Sequence, residues 1–410
     1  MSTESSSPQG EIVATLTAVI DGAPWSRMFH AYGLATDTPG HLKALIGDKP
    51  DPDARSEALN HLNSAEIHQG TPWPSTATTA LFVARMLGEE VVAEAEVRVA
   101  LLRFLREVAE AGDLGDQAEE ARAEAYSDDP EESEIVDEWL ASLATAGDEE
   151  EYEELWEGDL ESAETAGNRG IVDCYDAMPA LLGWVAPLTV ADDRAVAVAA
   201  QAAVAILARH PAADEQRGEL AAAMIAKART AVEPDERAAL VLSVQELGHN
   251  PREFLADPAL TVRGCAALAE SLAEDPEAHD VLVEIIANPV AFDEWFAKKP
   301  DQFPMHPRYE IIAAACERVP DASRLEAGIG AVPATGNWFV AAFDFGPYLR
   351  RFFADGWPAE EAAATSGQRK FARYLAASDP LWDPTNGNRG PNLGELGLPD
   401  DREAWRVLGG

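Results

Sequence analysis

Lysine is nearly missing from this chain: six stand among 410 residues, against 25 arginines and 73 acidic residues, for a formal charge of −42. A protein so poor in cations has no patch with which to neutralise phosphates, so neither nucleic acid nor an anionic membrane is expected as a partner. Cysteine is scarce too. Cys174, Cys265 and Cys316 lie far apart, which argues against a disulfide framework and against a cysteine zinc site. Long apolar runs are absent: the longest uncharged ones, residues 178–191 and 195–208, have 14 residues each, too few to cross a bilayer. No basic residue precedes Ile12, so no secretory signal is expected, and the chain reads as a reduced, cytoplasmic protein. Strand signals are also wanting, with no sustained period-2 alternation and no Asn-Gly hairpin between apolar runs.

The signatures of chemistry are missing as well. There is no G-x-S-x-G, no cysteine in a basic setting, and Gly328-Ile329-Gly330 lacks the third glycine of a phosphate loop. His61 and His68, two helical turns apart, have no third ligand at suitable spacing. The sequence therefore assigns no catalytic residue, no cofactor and no metal.

What the chain has in excess is acid, unevenly placed. Between Asp113 and Glu164 stand 22 acidic residues and one basic one, Arg122, so this stretch carries −21, half of the total charge. Such density usually keeps a segment disordered. Here an apolar stripe runs through it at helical spacing: Ile135, Val136, Trp139, Leu140 and Leu143, then Tyr152, Leu155, Trp156, Leu160 and Ala163. The spacing predicts two amphipathic helices with acidic outer faces. Such a face is either merely solvated or a docking surface for a basic protein, with Glu150, Glu151, Glu153, Glu154 and Glu157 at its centre.

Helix punctuation recurs along the rest of the chain. Thr38-Pro39 predicts a helix ending at Gly47 with Thr38 as its N-cap. Asp51-Pro52, Ser75 or Thr76, Glu233-Pro234, Asp257-Pro258, Asp275-Pro276 and His306-Pro307 mark further starts. Arginines near several of these starts are evenly spaced. Arg55 and Arg98 are 43 residues apart, Arg194 and Arg237 likewise, and Arg263 and Arg308 45 apart; the 26-residue step from Arg237 to Arg263 breaks the period. An Asp-Pro start, an early arginine and small packing residues resemble a HEAT repeat, whose period is roughly 40–47 residues.

A more particular likeness lies in two N-terminal blocks. One is Trp25-Ser26-Arg27-Met28-Phe29-His30-Ala31-Tyr32-Gly33 with Thr36-Asp37-Thr38-Pro39; the other is His68-Gln69-Gly70-Thr71 with Trp73-Pro74 and Thr76. Together they resemble a group of actinobacterial HEAT-repeat proteins. The resemblance is specific over residues 25–90, generic over 190–320, and absent from 113–165 and the C-terminal quarter. It implies an α-solenoid and carries over no catalytic motif.

The expected architecture is thus all-α: a HEAT-like solenoid of antiparallel helix pairs, with acidic helices over 113–168 between helix pairs at 1–112 and 169–330. Residues 331–410 form a helical cap, since 338–357 hold eight of the chain's 30 aromatics. A helix over 359–377, a loop over 378–399 rich in Gly, Pro and Asn, and a short helix near 401–408 complete it. The expected function is non-enzymatic: docking of a basic protein, for instance by an immunity or antitoxin-type protein covering a cationic toxin. The alternative is an enzyme or small-ligand-binding protein built on Arg27, His30, Asp37 and His68, a cluster that otherwise ties loops to the first helices.

Overall fold

Local capping sets several helix starts: a side-chain cap bond opens the helices that begin at Pro52, Leu160, Arg194, Pro276, Ser366 and Arg402, and at Pro52 and Pro276 a proline also fills the first turn. The computed structural model describes residues 8–47, 51–127, 130–146, 149–332, 338–385 and 389–410, with the side chains of Pro8, 130–132, 149, 150, 152 and 338–340 outside that description. Within it Asp51, Asp193, Asp275 and Asp401 each accept a backbone N–H two residues on. The chain divides into two compact units, Met1–Ala222 and Ala223–Gly410. That division coincides with none of the segment limits at 112, 168 and 330.

The first unit runs α1 (Pro8–Gly22), β1 (Phe29–His30), β2 (Gly33–Leu34), α2 (Thr38–Ala44), α3 (Pro52–His61), β3 (Ile67–His68), β4 (Thr71–Pro72) and α4 (Thr76–Gly88). It continues through α5 (Ala95–Gly112), α6 (Ala118–Ala125), α7 (Pro130–Leu143), α8 (Glu149–Gly158), α9 (Leu160–Val185), α10 (Arg194–Leu207) and α11 (Asp214–Thr230), inside which the division falls. The long α9 is its hub, packing against α4, α5, α6, α7 and α10. On α5, Leu101, Leu102, Leu105 and Val108 are fully buried at i, i+1, i+4 and i+7. They meet an α10 whose buried residues are mostly alanine, which lets the two backbones approach. Burying each of those larger side chains contributes about 1.5–3 kcal/mol, so Leu105→Ala alone would cost about 2–5 kcal/mol.

The second unit holds α12 (Pro234–Glu246), α13 (Leu260–Ala267), α14 (Pro276–Ile286), α15 (Pro289–Glu294), α16 (Pro307–Arg318), α17 (Trp338–Phe352), α18 (Ser366–Ala377), α19 (Arg389–Gly394) and α20 (Arg402–Gly409). Packing here runs from neighbour to neighbour: α12 on α13, α13 on α14, α14 on α16, α16 on α17. Among the described residues the aromatic block turns mostly inward. Phe345, Tyr348, Phe352 and Phe353 are buried, and Phe353 meets Trp405 of α20 edge-on at 5.4 Å. Beneath it Arg308, nearly buried, bonds both Asp293 and Asp344. Burial opposes its charge, but those two carboxylates more than offset that and hold its pKa above the usual value.

Several local expectations need correcting. Thr38 does not cap α2, because its hydroxyl is engaged by His61 and Glu66, and Asp37 occupies the cap position without its side chain accepting from the helix backbone. The second apolar stripe is not one helix: Gly158 ends α8, Asp159 caps α9 through Ser162, and Leu160 is left 65% exposed. Helix α18 begins at Ser366 rather than near 359, since Thr365 and Gln368 form a reciprocal capping box there. Residues 378–399 are not structureless, holding a 3-10 turn at Asp379–Trp382 as well as α19. The two hairpins, β1–β2 and β3–β4, were not foreseen either. The second turns through Gln69 and Gly70, both at positive φ (53° and 84°), the backbone a two-residue hairpin requires. Among the described residues no single helix is long and apolar enough to cross a membrane.

Candidate functional site

The acidic helices and the N-terminal polar block, far apart in sequence, form one site in the first unit. Val136, Trp139 and Leu143 of α7 and Trp156 of α8 pack in one cluster with Phe29 of β1. Phe29 meets Trp156 edge-on at 5.0 Å and Trp139 at 6.0 Å, and Trp73 stands 6.3 Å from Trp156. The Trp139 indole N–H donates to the Leu155 carbonyl (3.1 Å), pinning α7 to α8. Ile135, expected in the stripe, is instead 55% exposed. The hairpin is also tethered to α9 by charge. Arg169, almost buried, donates to Asp137 (2.8 Å), Ser133 (3.3 Å) and the Ala125 carbonyl (3.0 Å). Arg122, the lone cation of the acidic stretch, forks onto Asp176 of α9. Gly170 completes the fit, since a Cβ there would lie 2.8 Å from the Trp73 backbone.

Between hairpin and polar block opens a pocket of about 660 Å³ whose lining includes His30, Tyr32, Trp73, Trp156, Glu153 and Glu157. Tyr32, on the two-residue loop of β1–β2, is 66% exposed. Its backbone N–H donates to His30 Nδ1 (3.1 Å), and its hydroxyl lies 3.3 Å from His68 Nδ1. The Trp73 indole nitrogen has no hydrogen-bond partner among the described residues. Glu153, Glu154 and Glu157 are exposed and make no ion pair among the described residues, Glu151 is exposed, and the Glu150 side chain lies outside them.

Behind the pocket lies a knot that the sequence did not announce. Glu66 is 0% exposed, and Thr38 Oγ1 (2.9 Å) and Ser75 Oγ (2.6 Å) donate to its two carboxylate oxygens. Because the Thr38 proton goes to Glu66, Thr38 accepts from His61 Nε2–H (2.9 Å). The Ser75 N–H also donates to the Phe29 carbonyl (3.3 Å), so the knot positions the ring on which the acidic hairpin sits. One signal was legible: Glu66 is the only acid between Glu57 and Glu89, in a chain with 73 acidic residues.

Of the four pocket candidates, His30, Asp37 and His68 are brought into one connected cluster, while Arg27 is exposed and makes no side-chain contact with it among the described residues. His61 does not face His68. It joins His30 and Asp37 instead, the ligand-capable atoms of all three lying within 4.8 Å of one another. The hydrogen bonds nevertheless occupy His30 fully. Nδ1 accepts from Tyr32, so Nε2 must carry the proton it donates to Asp37 (2.9 Å), leaving no lone pair for a metal or for proton abstraction. For Asp37, burial opposes ionisation, but the His30 hydrogen bond and electrostatic attraction to the His30 and His61 rings hold its pKa below the usual value. His41, stacked on His61 at 4.2 Å, is shifted down by burial and by its neighbour's charge. His30 is thus held as a fixed structural donor, and the exposed carboxylates of Glu153 and Glu157 give the pocket wall its negative charge. No family model matches the chain, and no curated protein or solved structure is significantly similar to it.

Proposed function

We propose that this protein is a non-enzymatic binding protein whose acidic hairpin, α7–α8, docks a basic protein partner. The observation that carries the reading is the seating of Trp139 and Trp156 on Phe29, which holds the surrounding carboxylates on ordered helices. Fixed charges of one sign focus the field and steer an oppositely charged partner, raising association rates by roughly 10–1,000-fold. Two features support a HEAT-like solenoid as the scaffold: Asp-capped helices with proline in the first turn, and neighbour-to-neighbour packing from α12 to α17. Three buried free thiols suit a reducing cytoplasm, and a charge of −42 disfavours nucleic acid and anionic membrane. An immunity protein that covers a cationic toxin is one concrete form of this role.

The test replaces Glu150, Glu151, Glu153, Glu154 and Glu157 by Gln, which keeps good helix formers while removing five charges. A partner captured by the native protein should then associate more slowly, with a flatter dependence on salt and with helicity unchanged. Equal association rates and equal salt slopes for the two proteins would reduce the hairpin to a solvated face.

A further inference from the structure

Resting on that docking reading, we infer that the pocket bounded by Tyr32, Trp73 and Trp156 seats one arginine side chain of the basic partner. The walls decide the class of occupant. Three aromatic side chains, Tyr32, Trp73 and Trp156, border it, two exposed carboxylates, Glu153 and Glu157, line it, and Lys and Arg are absent from the lining among the described residues. An anion would be repelled by the two carboxylates with no Lys or Arg among the described lining residues to offset them, and an apolar group would strip water from carboxylates while offering them nothing. A cation gains twice, from the negative faces of the rings and from the carboxylates.

Arginine fits that mixture better than lysine. Its planar guanidinium stacks on an indole or phenol and presents paired N–H donors to a carboxylate, whereas an ammonium is a compact, strongly hydrated point charge. The volume of about 660 Å³ exceeds what an ion needs. It lies within the roughly 300–1,000 Å³ of ordinary ligand pockets, which leaves room for the side chain and the peptide flanking it. The charge of the hairpin brings the partner close from any direction, and the pocket then fixes its register. Anchoring by one buried residue inside a charged rim is how affinity is commonly concentrated at interfaces.

The experiment uses the full chain with its tryptophan indoles labelled for NMR and assigned by single Trp→Phe variants. Two capped pentapeptides are titrated, Gly-Gly-Arg-Gly-Gly and the same peptide with neutral, isosteric citrulline in place of arginine. The arginine peptide should move the Trp73 and Trp156 indole signals to saturation and bind about tenfold more tightly than the citrulline peptide. Glu153→Gln with Glu157→Gln should abolish that preference. Tyr32→Ala should weaken it, and Tyr32→Phe, which keeps the ring, should not. Tyr32 is exposed on a loop, so these two variants leave the fold intact. Equal binding of the two peptides, or an arginine preference indifferent to Tyr32→Ala and to the two Gln changes, would overturn the inference. A nona-lysine peptide titrated at rising salt separates the two readings. If its binding is salt-sensitive and lost in the five-Gln variant while the pentapeptides are not distinguished, the pocket fails and docking stands. If the five-Gln variant binds it as the native protein does and the pentapeptides are not distinguished, both fail.

Discussion

Replacing Glu66 by alanine removes the centre of the knot beneath the candidate site. The carboxylate is fully buried and accepts from Thr38 and Ser75 at 2.9 and 2.6 Å, with His61 Nε2 3.5 Å away. A hydrogen bond to a charged group contributes about 1.5–3 kcal/mol, so two give about 3–6 kcal/mol. Two effects reduce that figure. The mutant no longer holds a charge out of water, and Ser75 Oγ still has the Phe29 carbonyl 3.2 Å away as an acceptor. The Thr38 hydroxyl can turn its proton only to His61 Nε2, which must first change tautomer, and a cavity is left. The expected net cost is about 2–4 kcal/mol, within the range of broken buried networks. For a unit of this size each kcal/mol lowers Tm by roughly 2–4 °C, so Glu66→Ala should lower it by about 4–16 °C. Glu66→Gln keeps one acceptor oxygen and the volume, and should fall between alanine and the native protein. Thermal and urea unfolding followed by circular dichroism read this out, taking the transition that the mutation moves where the two units melt separately. A cost below about 1 kcal/mol for alanine, or a glutamine variant less stable than the alanine one, would show that the carboxylate is not what holds the loops together.

Arg169→Met should release α7 more than it unfolds the protein: amide exchange over 130–143 should accelerate while α12–α16 stay protected, because the Asp137, Ser133 and Ala125 contacts all end on that guanidinium. Acidification should weaken the first unit in two steps. The pKa of His41 is lower folded than its ordinary 6.5, so the unfolded chain binds more protons between the two values, and stability is lost as pH falls below about 6.5. Asp37 is likewise held below its ordinary 3.8, so its contribution persists above that value and is lost as pH falls through the folded pKa. Unfolding midpoints measured from pH 8 to 3 should follow that order, and His41→Gln should remove the first step alone. Titration with Co²⁺ should produce no absorption bands of a tetrahedral nitrogen–oxygen site, since His30 has no lone pair to give; their appearance, and their loss in His61→Ala, would refute the proton placement argued above.

Helix content was legible because its determinants are local. Asp51, Asp193 and Asp275 bond N–H groups two residues away, and an apolar period reports which face is buried whatever it is buried against. The same locality explains the errors. Thr38-Pro39 has the form of a helix start, yet the Thr38 hydroxyl is taken by two residues more than 20 positions away, His61 and Glu66. Leu160 keeps the period of the α8 stripe, but the cap at Asp159 resets the helix axis, and a periodicity carried across a break predicts the wrong face. The His68–Thr71 hairpin turns through Gln-Gly, whose first residue is an uncommon choice at positive φ, so composition alone did not mark it.

The candidate site was legible in halves. Charge and stripe marked the acidic helices, and the polar motif marked Tyr32 and Trp73, but nothing within either segment announces the other. Their meeting depends on the packing of Trp139 and Trp156 around Phe29, on Arg169 reaching Asp137 from α9, and on Gly170 leaving space beneath Trp73. These are contacts across roughly 30 to 130 positions, and each uses a residue whose type is unremarkable where it stands. What the meeting changes is the meaning of the acid. A carboxylate on a solvated helix attracts any cation weakly, because water screens it. Glu153 and Glu157 stand instead beside Tyr32, Trp73 and Trp156, where one side of the bound cation would face rings rather than water. On the proposed docking reading, selectivity of the surface, as distinct from its attraction, resides in the aromatic residues that the hairpin and the polar block bring together.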